Sequence, residues 1–278
     1  MRRRKFLWLA AVCVAFLYCG GAATEPAESF ALSARSRAAD GSTSEQNLRW
    51  EPSESAIVVC DMWDRHWCDS ATMRVGEMAP RMNDVLAAAR ELGVRVVHAP
   101  SSVVGYYEAT PFRQRILAAP TVEPPVPINP WCNLEPDKEI KLPIDDSDGG
   151  CDDESPVESY TAWSKQHAAI KMMGEDVVSD DGREVFNYFR QQGVRNVAVM
   201  GVHANMCVLG RSFAIRQLTK LGFNVVLVRD LTDAMYDPRD APFVSHASGT
   251  ELVVEHIERY WCPSILGQDL TRLVAEGS

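Results

Sequence analysis

The sequence predicts an α/β fold in which a mostly parallel sheet is covered by helices on both faces. Short apolar segments rich in β-branched residues alternate with segments whose apolar residues recur at helical spacing. Glycines follow several of the helical segments, and charged residues follow several of the strand-like ones. A chain of 278 residues is long enough for one α/β domain of about 200–250 residues.

The predicted elements follow one another from residue 55 onward. We expect strands at residues 55–60, 94–99, 168–171, 196–202 and 224–229, and helices at residues 77–92, 110–117, 182–192, 205–221 and 247–260. In a sheet of this kind, ligands bind beyond the carboxyl ends of the strands. Asp61, Lys171 and the turn at residues 201–207 each lie at the end of a predicted strand, so we expect them at one edge of the sheet.

The amino-terminal residues resemble an export signal. Residues 2–5 are basic, residues 6–18 are mainly apolar, and small residues 20–23 suit a cleavage site. The apolar stretch is shorter than the roughly 20 residues that a membrane span needs. The paired arginines also resemble the twin-arginine motif, with an ordinary signal as the alternative. Tyr18 before Cys19 disfavours a lipoprotein anchor, and we expect an exported protein without stable membrane insertion.

The rest of the chain divides into a linker and one domain with a long insertion. Residues 24–48, rich in Ala, Ser, Glu and Gly, are expected to form a flexible linker. Residues 49–278 are expected to form the single domain, in which residues 121–164 make a long insertion loop. Loops of this length are usually functional or flexible.

Charge and cysteine content narrow the possible partners and the compartment. The net charge is −10, and removal of the signal takes away four cations, so nucleic acid and anionic membranes are disfavoured as partners. Six cysteines follow the predicted signal, and an exported protein can keep disulfides. Cys132 and Cys151 bracket a polar loop and are the favoured pair. Cys60 lies in an apolar run, which is typical of a core residue.

Cys207 is the candidate nucleophile. It lies at the predicted start of a helix, where backbone N–H groups favour negative charge, lower the pKa of a thiol and can bind an oxyanion. The alternative is a small apolar cysteine packed under the sheet. Asp61 and Lys171, each at the end of a strand, have the ordinary alternatives of a turn residue and a surface lysine.

Taken together, these residues resemble a known superfamily. The order Asp61, Lys171, Cys207, with Gly-Val-His-Ala-Asn-Met-Cys-Val at residues 201–208, resembles the isochorismatase-like cysteine hydrolases over about residues 55–262. The resemblance implies a three-layer α/β/α fold around a six-stranded, mostly parallel sheet and a cis peptide bond between Val202 and His203. It also implies that Asp61 deprotonates Cys207, Lys171 supports the charge, and N–H groups of His203 and Cys207 bind the oxyanion.

The chain also departs from the superfamily's pattern. Nicotinamidases carry an Asp-x-His pair and a second His as a metal site after the second strand, and residues 98–102 here lack that pair. We therefore expect no catalytic metal and no cofactor, with His98 a hydrogen-bonded histidine at a strand end. Trp63 replaces the usual Gln, and with Tyr106 and Tyr107 it is predicted to line an apolar substrate pocket, the alternative for Trp63 being ordinary core.

The leading functional hypothesis is an amidase-type hydrolase that acts on a small amide or carbamoyl compound through a thioester. Two alternatives are an isochorismatase that cleaves a vinyl ether and an exported protein that binds a small molecule without turnover. A redox role for Cys60 and Cys68 is disfavoured because their spacing is wider than Cys-x-x-Cys. Calcium binding by the acidic residues 145–154 is also disfavoured, because their spacing does not match an EF-hand. The resemblance also suggests a homo-oligomer.

Overall fold

A computed structural model describes residues 28–275, so the predicted signal at residues 1–23 lies outside the described part of the chain. The elements, in chain order, are β1 Glu28–Arg37, β2 Thr43–Trp50, β3 Ser55–Cys60, α1 Asp69–Glu91, β4 Arg95–Ala99, α2 Pro111–Leu117, β5 Val177–Val178, α3 Gly182–Gln192, β6 Asn196–Val202, α4 Cys207–Gly210, α5 Ile215–Lys220, β7 Asn224–Asp233, α6 His246–Tyr260, β8 Ser264–Ile265 and β9 Val274–Ala275.

The strands form one sheet in the order β2-β1-β8-β7-β6-β3-β4-β5, with β9 paired to β1. The six strands from β8 to β5 in this order are parallel, whereas β1 pairs antiparallel with β2, β8 and β9. Apolar residues pack against both faces of the sheet in two large clusters. The predicted α/β fold is confirmed, and the expected six strands are exceeded because three further strands extend the sheet on one side.

The predicted linker at residues 24–48 is wrong for the part that the structure describes. Residues 28–50 form the β1–β2 hairpin, and Phe30, Leu32 and Ala34 on β1 are fully buried. These residues alternate with more polar ones, as in a strand with one buried face. The predominantly polar composition of the segment concealed this period of two, and the burial comes from the apolar cluster that these residues share with α1.

The register of β3 and β6 brings their carboxyl ends together. These strands run parallel with Cys60 opposite Gly201, so Asp61 and the turn after Val202 leave the sheet side by side. Gly201 has φ +113°, and a Cβ there would collide with the carbonyl oxygen of Cys60. Glycine is therefore required at the point where the two strands come closest.

Two predicted elements near the site are wrong. Residues 168–171 form a turn rather than a strand. The strand that pairs with β4 on the edge away from β3 is β5, at Val177–Val178. The single helix expected at residues 205–221 is two short helices, α4 and α5, separated by residues 211–214, of which Arg211 has an extended ψ of 154°. The local apolar pattern did not show these breaks, because it continues across both of them.

The insertion at residues 121–164 is anchored to the domain by a buried ion-pair cluster. The carboxylate of Glu139 is fully buried and accepts hydrogen bonds from Arg216 (Nε, 2.8 Å), His256 (Nε2, 2.8 Å) and Trp261 (Nε1, 2.9 Å). Burial alone would raise the pKa of Glu139, but the hydrogen bonds from His256, Arg216 and Trp261 outweigh burial and lower it to about 2. The insertion is therefore fastened to α5 and the end of α6.

Replacing Glu139 by glutamine is expected to lower the free energy of unfolding by about 3 kcal/mol at neutral pH, because it leaves the buried guanidinium of Arg216 without its counter-charge. Since the folded-state pKa of Glu139 is depressed, its stabilisation is present at neutral pH and is lost as the pH falls towards 2. Urea unfolding between pH 7 and pH 3 measures both effects.

The matched control is Glu123→Gln in the same insertion. Glu123 is 92% exposed and lies 3.9 Å from Arg183, so its replacement should change the free energy of unfolding by less than about 0.5 kcal/mol. Equal stabilities for the two variants would show that the Glu139 cluster does not hold the insertion.

Within the acidic segment at residues 145–154, Asp152 and Asp153 bind to other parts of the protein, whereas Asp145, Asp148 and Glu154 are exposed. Asp153 accepts hydrogen bonds from the backbone N–H groups of Asp69 and Ser70 (both 2.9 Å) and so caps the first turn of α1. Asp152 pairs with Arg74 at 2.8 Å. This cap explains why α1 begins at Asp69, eight residues before the predicted start. Within residues 28–275, no helix has the length and apolar content to cross a membrane.

Candidate active site

Asp61 lies directly after β3 with its side chain fully buried. Its N–H donates to the carbonyl of Ala99 (3.0 Å), Oδ1 accepts from the N–H of Ser101 (2.7 Å), and Oδ2 accepts from Nε of Arg211 (3.2 Å). Burial raises the pKa of Asp61 above its usual range, although Arg211 and hydrogen bonds from Cys207 and Ser101 oppose the rise. The carboxylate is therefore held in one orientation and is a stronger base than an exposed aspartate.

Cys207 is the first residue of α4 and is 8% exposed. The thiol lies beside the Asp61–Arg211 ion pair, and both of these side chains act on its pKa. Burial, followed by the negative charge of Asp61, raises the pKa of Cys207 well above its ordinary value. The expectation that the helix start lowers this pKa is wrong, because α4 has only four residues and burial outweighs its N–H groups.

The predicted cis peptide bond between Val202 and His203 is confirmed. The carbonyl of His203 accepts hydrogen bonds from the N–H groups of Met206 (3.0 Å) and Val208 (3.2 Å), which closes the turn around the nucleophile. The His203 ring is buried at 5.1 Å from the ring of His66, and burial lowers the pKa of His203 to about 3. The ring is therefore neutral near pH 7.

Lys171 is not at this site, and the prediction that it is the catalytic cation is corrected. Its side chain is exposed, and Nζ donates to the carbonyl of Ala168 at 2.6 Å. Among the described residues, Arg211 is the cation paired with Asp61. Burial by itself would lower the pKa of Arg211, but the charges of Asp61 and Cys207 outweigh burial and raise it. The predicted strand that would have carried Lys171 to the sheet edge is a turn, so the lysine stays at the surface.

Arg211 is the functional residue that the sequence reasoning missed. It follows α4 directly, and its N–H donates to the carbonyl of Cys207 at 3.0 Å. A cation four residues after the nucleophile lies one helical turn away from it. That spacing was the available signal, and it was overlooked because Lys171 already filled the expected place in the motif.

Trp63 lies in a stack of rings beside Asp61. It is 5% exposed, its Nε1 donates to the carbonyl of Ser101 (3.1 Å), and its ring lies parallel to that of Trp163 at 4.1 Å. A small cavity is lined by Asp61, Trp63, His66 and His203, among others. Trp63 is thus both a core residue and part of the wall beside the carboxylate, while Trp163 from the insertion covers it.

Tyr106 and Tyr107 line a separate surface cleft of about 340 Å³ with Lys171 rather than the cavity at Asp61. Tyr106 is 63% exposed, whereas Tyr107 is buried and its hydroxyl accepts from the N–H of Gln166 at 2.8 Å. The structure therefore separates the three predicted pocket residues, because the segment around Gln166 pairs with Trp63 and lies between the two cavities.

The disulfide joins Cys68 to Cys151, with Cα atoms 5.7 Å apart. The favoured pairing of Cys132 with Cys151 is wrong, since Cys132 is a free thiol that donates to Gln217 at 3.3 Å. Cys60 is fully buried in the core, as predicted. The disulfide ties the insertion to the segment just after β3, next to the candidate site.

His98 occupies a strand end and is fully hydrogen-bonded, as predicted. Its Nδ1 lies 2.9 Å from Oε1 of Gln166, and its Nε2 lies 3.0 Å from Oδ2 of Asp176. Asp176 also pairs with Arg90 at 2.8 Å. Both ring nitrogens therefore have protein partners.

No family model and no curated protein matches the chain. Solved structures do match. A cysteine hydrolase from Pseudomonas syringae pv. phaseolicola is 19% identical, with 81% of this chain and 95% of that chain covered and a TM-score of 0.49. An isochorismatase family protein from Desulfovibrio vulgaris is 15% identical over 78% and 96% of the two chains, with a TM-score of 0.44.

N-carbamoylsarcosine amidase from Thermoplasma acidophilum is 14% identical over 67% of this chain and 87% of that chain, with a TM-score of 0.38. These matching structures are of the superfamily that the motif at residues 201–208 resembles. At such identities and TM-scores the likenesses carry no conclusion about activity. The chemistry proposed for this chain rests on Asp61, Cys207 and Arg211.

Proposed function

We propose that the chain is a cysteine-dependent hydrolase that cleaves the C–N bond of a small amide or carbamoyl compound through a thioester on Cys207. The observation that carries the proposal is the buried trio of Cys207, Asp61 and Arg211, in which the carboxylate beside the thiol is itself paired with a guanidinium. A nucleophile hydrogen-bonded to a base, with a third group that orients the base, is the arrangement of nucleophilic catalysis.

The first step makes the thioester. The thiol of Cys207 is protonated at neutral pH, so Asp61 takes its proton as the sulfur bonds to the carbonyl carbon. A raised pKa makes Asp61 a more effective base for this transfer. The carbonyl electron pair moves to oxygen, where the backbone N–H groups of His203 and Cys207 bind it. The carbonyl then re-forms, the C–N bond breaks, and the nitrogen leaves with the proton from Asp61.

The second step hydrolyses the thioester. Asp61 takes a proton from water, the hydroxide oxygen bonds to the acyl carbon, and the C–S bond breaks. The proton on Asp61 returns to the sulfur of Cys207, which restores the resting enzyme. The sum is one amide and one water converted to an acid and an amine, with no change of oxidation state. Arg211 offsets the negative charge that the carboxylate and the sulfur share during both steps.

The surroundings of Cys207 favour a small substrate with an apolar part. Cys207 belongs to the same packed cluster as Trp63 and Ile144, with Met206 and Trp163 packed against that cluster. Residues of the insertion therefore narrow the space at the sheet edge. An apolar wall with a few directed polar groups is typical of small-molecule sites.

Export of the protein belongs to the same proposal. The disulfide between Cys68 and Cys151 supports an oxidising compartment, where such bonds persist. The predicted signal at residues 1–23 is consistent with this placement.

Trapping of the acyl group tests the proposal. The full-length oxidised protein is incubated with a panel of small primary amides and N-carbamoyl amines, with and without hydroxylamine, and is then digested for mass spectrometry. We expect the acyl or carbamoyl mass on Cys207, none on Cys60 or Cys262, and formation of the hydroxamate when hydroxylamine intercepts the thioester. Turnover that yields neither an adduct on Cys207 nor a hydroxamate would overturn the thioester route.

A further inference from the structure

The segment around Trp131 in the insertion lies directly against the turn that carries the nucleophile. Trp131 forms an antiparallel bridge with Arg211, and the N–H of Cys132 donates to the carbonyl of Gly210 at 2.7 Å. These backbone contacts fix the insertion to the end of α4.

The indole of Trp131 packs on the backbone of Gly210. A Cβ at Gly210 would lie 2.6 Å from Cζ2 and 2.7 Å from Cε2 of the indole, which is closer than real Cβ atoms approach their neighbours. Only glycine leaves room for the ring in this position. The fit joins a residue of the insertion to the residue before Arg211.

The same ring faces the Arg211 guanidinium. The Cζ atom of Arg211 lies 5.6 Å from the centre of the Trp131 ring, within the range of a cation–π contact. The Nε atom of Arg211 lies 3.2 Å from Oδ2 of Asp61. Among the described residues, Asp61 is the one acid within ion-pair distance of Arg211. The guanidinium thus contacts both the aromatic ring of Trp131 and the catalytic carboxylate.

We propose that Trp131 is a positioning residue that holds the Arg211 guanidinium against Asp61 and Cys207. The inference rests on the proposed function, since it assigns to the insertion a part in setting the charge balance of that site. Trp131 acts through Arg211 rather than by touching the reacting atoms. Because Arg211 lowers the pKa of Cys207 against the effect of burial, loosening Arg211 should leave less thiolate at any given pH.

The test is a double-mutant cycle on the alkylation rate of Cys207. Iodoacetamide labelling of the full-length oxidised protein is followed by mass spectrometry between pH 7 and pH 10 for the wild type, Trp131→Ala, Arg211→Met and the double variant. Removal of the ring also changes access to the thiol, but that effect is the same in both backgrounds and cancels in the cycle. We expect a coupling of about threefold to tenfold, the size of one cation–π contact.

Two further variants separate positioning from general loosening. Trp131→Phe keeps an aromatic face and should restore most of the coupling. Tyr160→Ala removes an exposed aromatic residue elsewhere in the insertion and should leave the alkylation profile unchanged. Thermal unfolding of each variant checks that the domain remains folded.

A cycle that closes without coupling, or a Trp131→Phe variant as impaired as Trp131→Ala, would overturn the positioning role. Alkylation needs no substrate, so failure of the proposed function is recognised separately, as the absence of any acyl adduct on wild-type Cys207. Coupling in the alkylation rates together with no adduct would keep the role of Trp131 and reject the hydrolase proposal.

Discussion

Replacement of Cys207 by alanine is expected to lower the turnover of any amide that acylates the wild-type protein by a factor on the order of 10⁴ to 10⁶, as for the loss of other enzymatic nucleophiles. Without the sulfur no thioester forms, and Asp61 and Arg211 have no attacking group to activate. The measurement is kcat/KM with the best substrate found in the trapping experiment, after removal of any trace of wild-type protein.

Cys262→Ala is the matched control for this variant. Cys262 is also a free, buried cysteine, so the substitution makes the same chemical change at a place remote from Asp61. We expect kcat/KM within about threefold of wild type, since a buried cysteine of this kind acts as a small apolar residue. Turnover by Cys207→Ala at the level of the Cys262→Ala control would exclude Cys207 as the nucleophile.

Arg211→Met is expected to lower kcat/KM by a factor of about 10² to 10³, comparable to the loss of one charge-stabilising donor in other active sites. The guanidinium opposes the rise in the pKa of Asp61, so its removal should raise that pKa further. Because the base must be ionised, activity is lost as the pH falls through the pKa of Asp61. The acid limb of the kcat/KM profile should therefore move to higher pH in this variant.

Lys171→Met is the matched comparison for Arg211→Met. Lys171 is the residue that the sequence motif favoured, but it is exposed and bonds to the carbonyl of Ala168. Its replacement should leave kcat/KM within about threefold of wild type and the acid limb unmoved. If Lys171→Met loses activity and Arg211→Met keeps it, the cation of the site is the lysine after all.

Cys207 and Asp61 are both buried, and burial is the main cause of both pKa shifts. The pKa values of Cys207 and Asp61 are both raised, which favours the thiol over the thiolate at rest and makes the Asp61 carboxylate a stronger base than an exposed aspartate. The start of α4 does not account for the rise in the pKa of Cys207, because α4 is a single turn of four residues and a helix start lowers the pKa of a thiol. Water-poor surroundings, which depend on the insertion and the sheet edge, set the direction of both shifts.

Local patterns predicted the central strands well, because each of them is buried on both faces. The apolar runs at residues 55–60, 196–202 and 224–229 correspond to β3, β6 and β7, whose patterns need no knowledge of distant contacts. The β1–β2 hairpin was missed because its contacts are with residues distant in the chain: β1 pairs with β8, and its buried face packs in the apolar cluster that includes α1. The insertion likewise carries no periodic signal, and Glu139 and Cys151 fasten it through contacts with residues far away in sequence.

The sequence by itself determined the α/β class, the position of Asp61 at a strand end and that of Cys207 at a helix start, and its resemblance to the isochorismatase-like hydrolases implied the cis bond before His203. Those features follow from short-range patterns and from one specific motif. Only the tertiary structure decided which cation joins the pair, which cysteines bond and whether the thiol is protonated. The ion pair of Asp61 with Arg211 and the disulfide each join residues distant in the chain, and the protonation of the thiol depends on the water excluded around it.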